Sequence, residues 1–178
     1  MQRSILLIDG GNFYFKLKSL NFNNQLNFDF SAFATYLADT TTLVSCTYYV
    51  GEVRTDGTQR TQHMYQNQQR LLARLQKHGF RYELGYLLKD KDGVMHEKGV
   101  DVKMALDIQR TAFQNSCDRI ILVSSDTDLI PAINETQTMG KTVEYIGFSH
   151  QRSLALLATC EEARLLRKDD LLPFIQTK

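Results

Sequence analysis

The sequence contains no run of about 18 apolar residues, so no membrane-spanning helix is predicted. Only five apolar residues precede the first aspartate in MQRSILLIDGGN. A secretory leader needs a longer apolar region and a small-residue cleavage site, and the expected location is cytoplasmic. The three cysteines, Cys46, Cys117 and Cys160, are odd in number and far apart. They exclude a zinc knuckle and a full set of internal disulfides, and read as ordinary buried thiols. Charge of one sign is lacking too: the net charge is +1, and nothing in the total points to nucleic acid. Also missing are an Asp-x-Asp after the first apolar run, an Asp-x-Ser-x-Ser, and a Gly-x-Gly-x-x-Gly opening a helix. Their absence speaks against a haloacid-dehalogenase-like phosphatase, an integrin-type metal site and a dinucleotide-binding site.

What is present is an alternating pattern suited to one domain over all 178 residues. Five segments read as strands: Arg3–Ile8, Leu43–Val50, Phe80–Leu88, Arg119–Val123 and Thr142–Ile146. Most are apolar runs bounded by turn residues, as expected of strands buried on both faces of a parallel sheet. Helical patterns cover Asn12–Leu20, Ser31–Asp39 (with Ser31 as N-cap), Gln59–Lys77, Gly99–Gln114, Asp128–Met139 and Ser153–Cys160. Gly79 and Gly140 stand where helix C-terminal caps belong. The order predicts a doubly wound α/β sheet with helices on both faces. Lys89–Lys98 reads as the least structured loop, and 167–178 as a short C-terminal element.

In such sheets ligands sit at the carboxyl ends of strands, near the switch in strand order. Asp9 follows the first strand, and Asp126 and Asp128 follow the fourth, in LVSSDTDLIP. If those two strands are neighbours, the three carboxylates converge. Asp101 falls in the first turn of the helix in KGVDVKMALDIQR, on a face shared with Ala105, Ile108 and Ala112. A carboxylate among apolar residues needs a partner, and clustered carboxylates repel unless a cation joins them. Mg²⁺ and Mn²⁺ prefer oxygen ligands of this kind. Asn12 could supply an amide oxygen, Ser124 and Ser125 could bind a phosphate or position Asp126, and Lys98 could neutralise a phosphate oxygen. Asp107 supports the cluster or faces solvent. The histidines His63, His78, His96 and His150 read as surface residues. Residues 54–103 hold ten Lys/Arg against six Asp/Glu, net +4, a mildly basic segment that could track a phosphate backbone. Within it, Tyr82 and Tyr86 could stack on bases, although core packing explains them as well.

The segments LLIDGGNFY, KGVDVKMALD, IILVSSDTDLIPAI and GKTVEYIGF, in this order and spacing, resemble the NYN domain of the PIN-like nuclease superfamily, in its LabA-like branch. The resemblance implies a PIN-like three-layer α/β/α sandwich with a central, mainly parallel sheet of about five strands. It implies a divalent-metal-dependent ribonuclease using Mg²⁺ or Mn²⁺, with Asp9, Asp101, Asp126 and Asp128 as catalytic metal ligands. Asn12 and Lys98 match the family's asparagine and lysine. Ser125 and Thr127 stand where the family often has glycine, and Cys160-Glu161 where it often has an alanine-aspartate pair. The partner implied is RNA, expected to be single-stranded, with no membrane and with homo-oligomerisation left open. The alternative is a non-catalytic RNA- or protein-binding module of the same fold.

Overall fold

The apolar runs form the middle of one twisted sheet. In the computed structural model, residues 1–22, 25–89 and 95–176 are described, with the backbone alone for 87–89 and 95–97. Strand β1 (Arg3–Asp9) pairs in parallel with β2 (Thr42–Gly51) on one side and β5 (Arg119–Val123) on the other. β3 (Arg81–Lys89) continues the sheet beyond β2, and β6 (Thr142–Phe148) and β7 (Glu162–Leu166) continue it beyond β5, all in parallel. A short β4 (Met95–Lys98) runs antiparallel to β3 at the edge, giving the order β4-β3-β2-β1-β5-β6-β7. The sheet thus has six parallel strands rather than about five. β7 escaped the sequence reading because it is an edge strand whose first two residues are exposed. β4 escaped because MHEK has no apolar run. Its pairing also corrects the expectation of an unstructured Lys89–Lys98: Met95–Lys98 form a strand, whereas 90–94 and the His96 side chain lie outside the described residues.

Helices cover both faces, as a parallel sheet requires. On one face α1 (Gly10–Ser19), α2 (Phe30–Ala38) and α3 (Gln59–Lys77) enclose a core rich in rings, including Phe13, Phe28, Phe30, Phe33, Tyr48 and Phe148. Phe13 touches four other phenylalanines with ring centroids 5.3–6.1 Å apart. On the other face α4 (Val100–Phe113), α5 (Ile130–Thr138) and α6 (Leu154–Thr159) bury mainly aliphatic side chains such as Met104, Ile108, Ile133 and Leu156. Each fully buried side chain of these kinds contributes about 1.5–3 kcal/mol over an exposed one. After β7, α7 (Lys168–Leu171) and a 3₁₀ turn return Leu171 and Phe174 to the aromatic core.

Cap chemistry decides two local details. The N-cap of α2 is Asp29, two residues before the expected Ser31: Asp29 Oδ1 accepts from the Ala32 N–H at 3.0 Å. The Ser31 N–H donates instead to His78 Nδ1, so His78 is a half-buried partner of α2 rather than a surface residue. Gly79 and Gly140 follow α3 and α5 with φ of +81° and +75°, as helix-terminating residues do. Among the described residues no helix is long and apolar enough to cross a membrane.

Candidate active site at the carboxyl edge of the sheet

β1 and β5 are hydrogen-bonded neighbours with Ile8 opposite Val123. One residue further on, Asp9 and Ser124 therefore leave the sheet side by side. Ser124 is 1% exposed and Asp9 is 6% exposed, and the Ser124 hydroxyl donates to Asp9 Oδ2 at 3.0 Å. The other Asp9 oxygen caps α1, accepting from the Asn12 N–H at 2.9 Å. Ser124 Oγ in turn accepts from the Asp126 N–H, and Asp126 Oδ1 accepts from the Asp128 N–H. One chain of hydrogen bonds thus links Asp9, Ser124, Asp126 and the Asp128 backbone. Ser124 thus holds the Asp9 carboxylate and the Asp126 backbone. Ser125 is half-buried beside Tyr145, with the two hydroxyls 3.4 Å apart.

Directly after Asp9 the chain has no room for a side chain. A Cβ at Gly10 would fall 2.7 Å from the Tyr49 carbonyl oxygen and nearer still to the Tyr48 ring. This close approach sets α1 tight against β2 and fixes the direction of Asp9. Asp101 arrives from the other side of the sheet. Lys98, exposed and opposite Tyr86, ends β4. Gly99 then takes φ +83°, a left-handed turn that suits glycine, and α4 begins with Asp101 in its first turn.

The four aspartates share one electrostatic field. Burial first, then the charges of Asp126, Asp9 and Asp128 together with a hydrogen bond to Asp126, push the Asp101 carboxyl up to about 6. Asp101 and Asp128 also stand on the wall of a groove of about 540 Å³ between α4 and α5, alongside Val102, Ala105, Leu106 and Pro131. Among the described residues, however, no three carboxylates, imidazoles or thiols are gathered tightly enough to grip one ion. Asp9 and Asp126 hold turns with their oxygens, and the Asp101 carboxyl lies within hydrogen-bond reach of Asp126. The donor set itself suits a hard divalent cation: all oxygen, clustered, and mutually destabilised while unneutralised.

Asp107 lies further along α4, outside the cluster and half-buried. Its Oδ2 accepts from the Tyr49 hydroxyl at 2.8 Å, and its Oδ1 pairs with Arg110. Tyr49 is the register partner of Asp9 on β2, so this bond ties α4 to the strand position next to Asp9. Burial, then Asp107, pushes the Tyr49 phenol well above its ordinary value. Tyr49 read simply as part of a strand; a mid-helix acid in need of a donor was the one available clue. Of the two tyrosines considered for stacking, Tyr82 packs partly against the aromatic core and Tyr86 is 57% exposed.

A family model of the NYN domain matches residues 3–166. Among solved structures, a Vibrio parahaemolyticus protein of unknown function is 23% identical, covering 96% of this chain and 95% of its own, with a TM-score of 0.70. That similarity shows the fold. A bacteriophage T5 flap endonuclease, solved as a pseudo-enzyme-product complex with DNA and metal ions, is 15% identical with a TM-score of 0.48. It covers 84% of this chain and 57% of its own. No curated protein matches the sequence.

Proposed function

Since this chain belongs to the NYN domain family, we propose that its acidic edge is a ribonuclease site that hydrolyses phosphodiester bonds of single-stranded RNA with Mg²⁺ or Mn²⁺ as cofactor. Membership of the family supports a nuclease-type function. The observation that supports the finer reading is that four aspartates from three separate segments lie within electrostatic reach of one another near the carboxyl ends of β1 and β5.

Asp9, Asp101, Asp126 and Asp128 would hold the cation. When bound, a divalent ion offsets their repulsion and supplies the Lewis acidity and lowered water pKa that phosphodiester hydrolysis needs. The chain's own residues do the rest. The Asp101 carboxyl, pushed up to about 6 by burial and its acidic neighbours, is a member of the cluster whose charge a bound cation would relieve. The Ser124 hydroxyl keeps Asp9 aimed while the Asp126 loop accommodates substrate. Asn12, whose N–H caps onto Asp9, and Ser125, next in sequence to Ser124, would orient phosphate oxygens. Lys98 brings a cation from the end of β4 to the strand's backbone, and the exposed ring of Tyr86 opposite it offers a face for a base.

Cleavage of a labelled single-stranded RNA, with matched DNA beside it, tests the proposal. The expected outcome is cleavage in Mg²⁺ or Mn²⁺, none in excess EDTA, and a rate about a hundred- to a thousandfold lower in Asp126→Asn, the scale of losing one charge-stabilising group. An Asp126→Asn protein as active as the original sinks the site. The turn-holding roles of Asp9 and Asp126 favour one other reading, a non-catalytic RNA- or protein-binding module. Tight RNA binding with no metal-dependent cleavage would select it.

A further inference from the structure

Helix α1 is the element that follows Asp9, and its outward face carries an unusual combination of side chains. Gly10, Phe13 and Leu17 are buried against the sheet. The opposite face shows Phe15, 66% exposed, and Tyr14, 37% exposed, with ring centroids 5.4 Å apart in an edge contact. Single exposed apolar residues are common and explain nothing by themselves. Phe15 differs in its address. At helical spacing Asn12, Phe15, Lys16 and Ser19 form one stripe, and that stripe begins beside Asp9.

The charges along it are of one sign. α1 contains Lys16 and Lys18 and no acid. Lys18 Nζ lies 5.9 Å from the centre of the Tyr14 ring. Lys16 Nζ donates to the Gln151 carbonyl oxygen at 2.8 Å and to its side-chain oxygen at 3.2 Å. An ammonium has three donors, so one remains for a further acceptor. The Ser19 hydroxyl meets His150 Nε2 at 2.7 Å. The turn Ser149–Gln151 that follows β6 is thereby locked onto α1, with exposed Arg152 next in sequence. The result is a rigid shelf with a ring face, cations at either side, and direct continuity with the acidic cluster.

Resting on the single-stranded substrate proposed above, we infer that α1 is the second half of the strand's path: Phe15 stacks on an unpaired base next to the scissile phosphate, and Lys16 holds the phosphate beyond it. With Tyr86 and Lys98 beyond β2, a ring and a lysine then stand on each side of the aspartates. The chemistry recognised is that of any unpaired polynucleotide, since a ring face stacks on every base and reads neither sequence nor the 2′-hydroxyl.

The test is binding, measured apart from cleavage. Full-chain protein carrying Asp126→Asn is titrated against a short fluorescein-labelled oligoadenylate, as RNA and as DNA, and against the same strand with 2-aminopurine at one position. Phe15→Ala in this background is expected to weaken both strands about tenfold and to abolish the 2-aminopurine quenching. Phe15→Trp is expected to retain both signals. Lys16→Ala is expected to weaken binding about threefold and to flatten its salt dependence by the equivalent of about one phosphate contact. Phe15 is exposed, so these variants are expected to keep the original circular dichroism and melting curve. Unchanged affinity and quenching in Phe15→Ala overturns the assignment, as does duplex displacing the strand as well as unlabelled single strand does, or no binding of either strand. The nuclease reading fails separately: a strand bound through Phe15 but never cleaved by the original chain leaves the path standing, whereas cleavage with Phe15→Ala indifferent removes the path alone.

Discussion

The two faces of the sheet are built from different materials. The α1–α3 face is filled with stacked and edge-on rings around Phe13, Phe28 and Phe33. The α4–α6 face is filled with Met104, Ile108, Ile133 and their aliphatic neighbours. The aspartates distribute unevenly between them. Asp101 belongs to α4, Asp126 and Asp128 open the segment that leads into α5, and Asp9 sits on β1 where both faces meet. Rings pack with defined geometry, so the aromatic face serves as the stiff backing that fixes β1, β2 and the start of α1. The aliphatic face carries the groove, with Asp101 and Asp128 on its wall. Ring packing is thus concentrated on one face and the acidic groove on the other.

The sharpest way to break that division is to remove a ring. Phe33→Ala, at a fully buried position in contact with three other rings, is expected to cost about 3–5 kcal/mol in urea unfolding, and Ile133→Ala on the other face to fall toward the lower end of about 2–5 kcal/mol. Equal losses would abolish the contrast. Next in size is Tyr49→Phe, which removes the bond between β2 and Asp107. Losing a hydrogen bond to a charged group here is expected to cost about 1.5 kcal/mol and to lower activity by shifting α4; full activity at reduced stability would make the bond purely structural. The smallest effect is in the pH dependence of Asp101. Its folded value of about 6 lies above its ordinary 3.8, so the folded chain binds the extra proton. In EDTA its contribution to stability is present below pH about 4 and is lost as pH rises through about 6. A divalent ion reverses the sign, because it favours the ionised form. Melting curves of the original chain and Asp101→Asn, with and without Mn²⁺, check this; identical slopes in the two proteins would remove Asp101 from the shared field.

Much of this was legible beforehand wherever local pattern and burial coincide. The run RIILV marks β5 to the residue, and the long polar pattern of α3 is bounded at Gln59 and Lys77 as expected. The placement of Asp9, Asp126 and Asp128 at one edge was legible by position alone, since a residue just after a buried parallel strand has only that edge of the sheet to occupy. β4 and β7 were not legible because edge strands do not need two apolar faces. The Ser124 bridge and the Tyr49–Asp107 bond were hidden for another reason. Both depend on the register between strands far apart in sequence, Asp9 with Ser124 and Asp9 with Tyr49, and no local window contains it. The stripe Asn12–Phe15–Lys16 was readable at helical spacing, but exposure, which gives Phe15 its meaning, was not.

Gly10 carries the close fit of α1 and β2 into the question of what mutation can reach. A side chain there meets backbone at the Tyr49 carbonyl, which cannot turn aside as a flexible side chain would. Every substitution must therefore move either the helix or the strand, and each movement displaces Asp9. In a saturation library sorted for folded protein, position 10 is expected to return glycine almost alone, whereas Phe15, five positions along the same helix and facing outward, tolerates most residues. A second sort, for strand binding, would narrow Phe15 to the aromatic residues and leave Gly10 as it was. The same short helix thus holds one position closed by folding and one closed only by recognition.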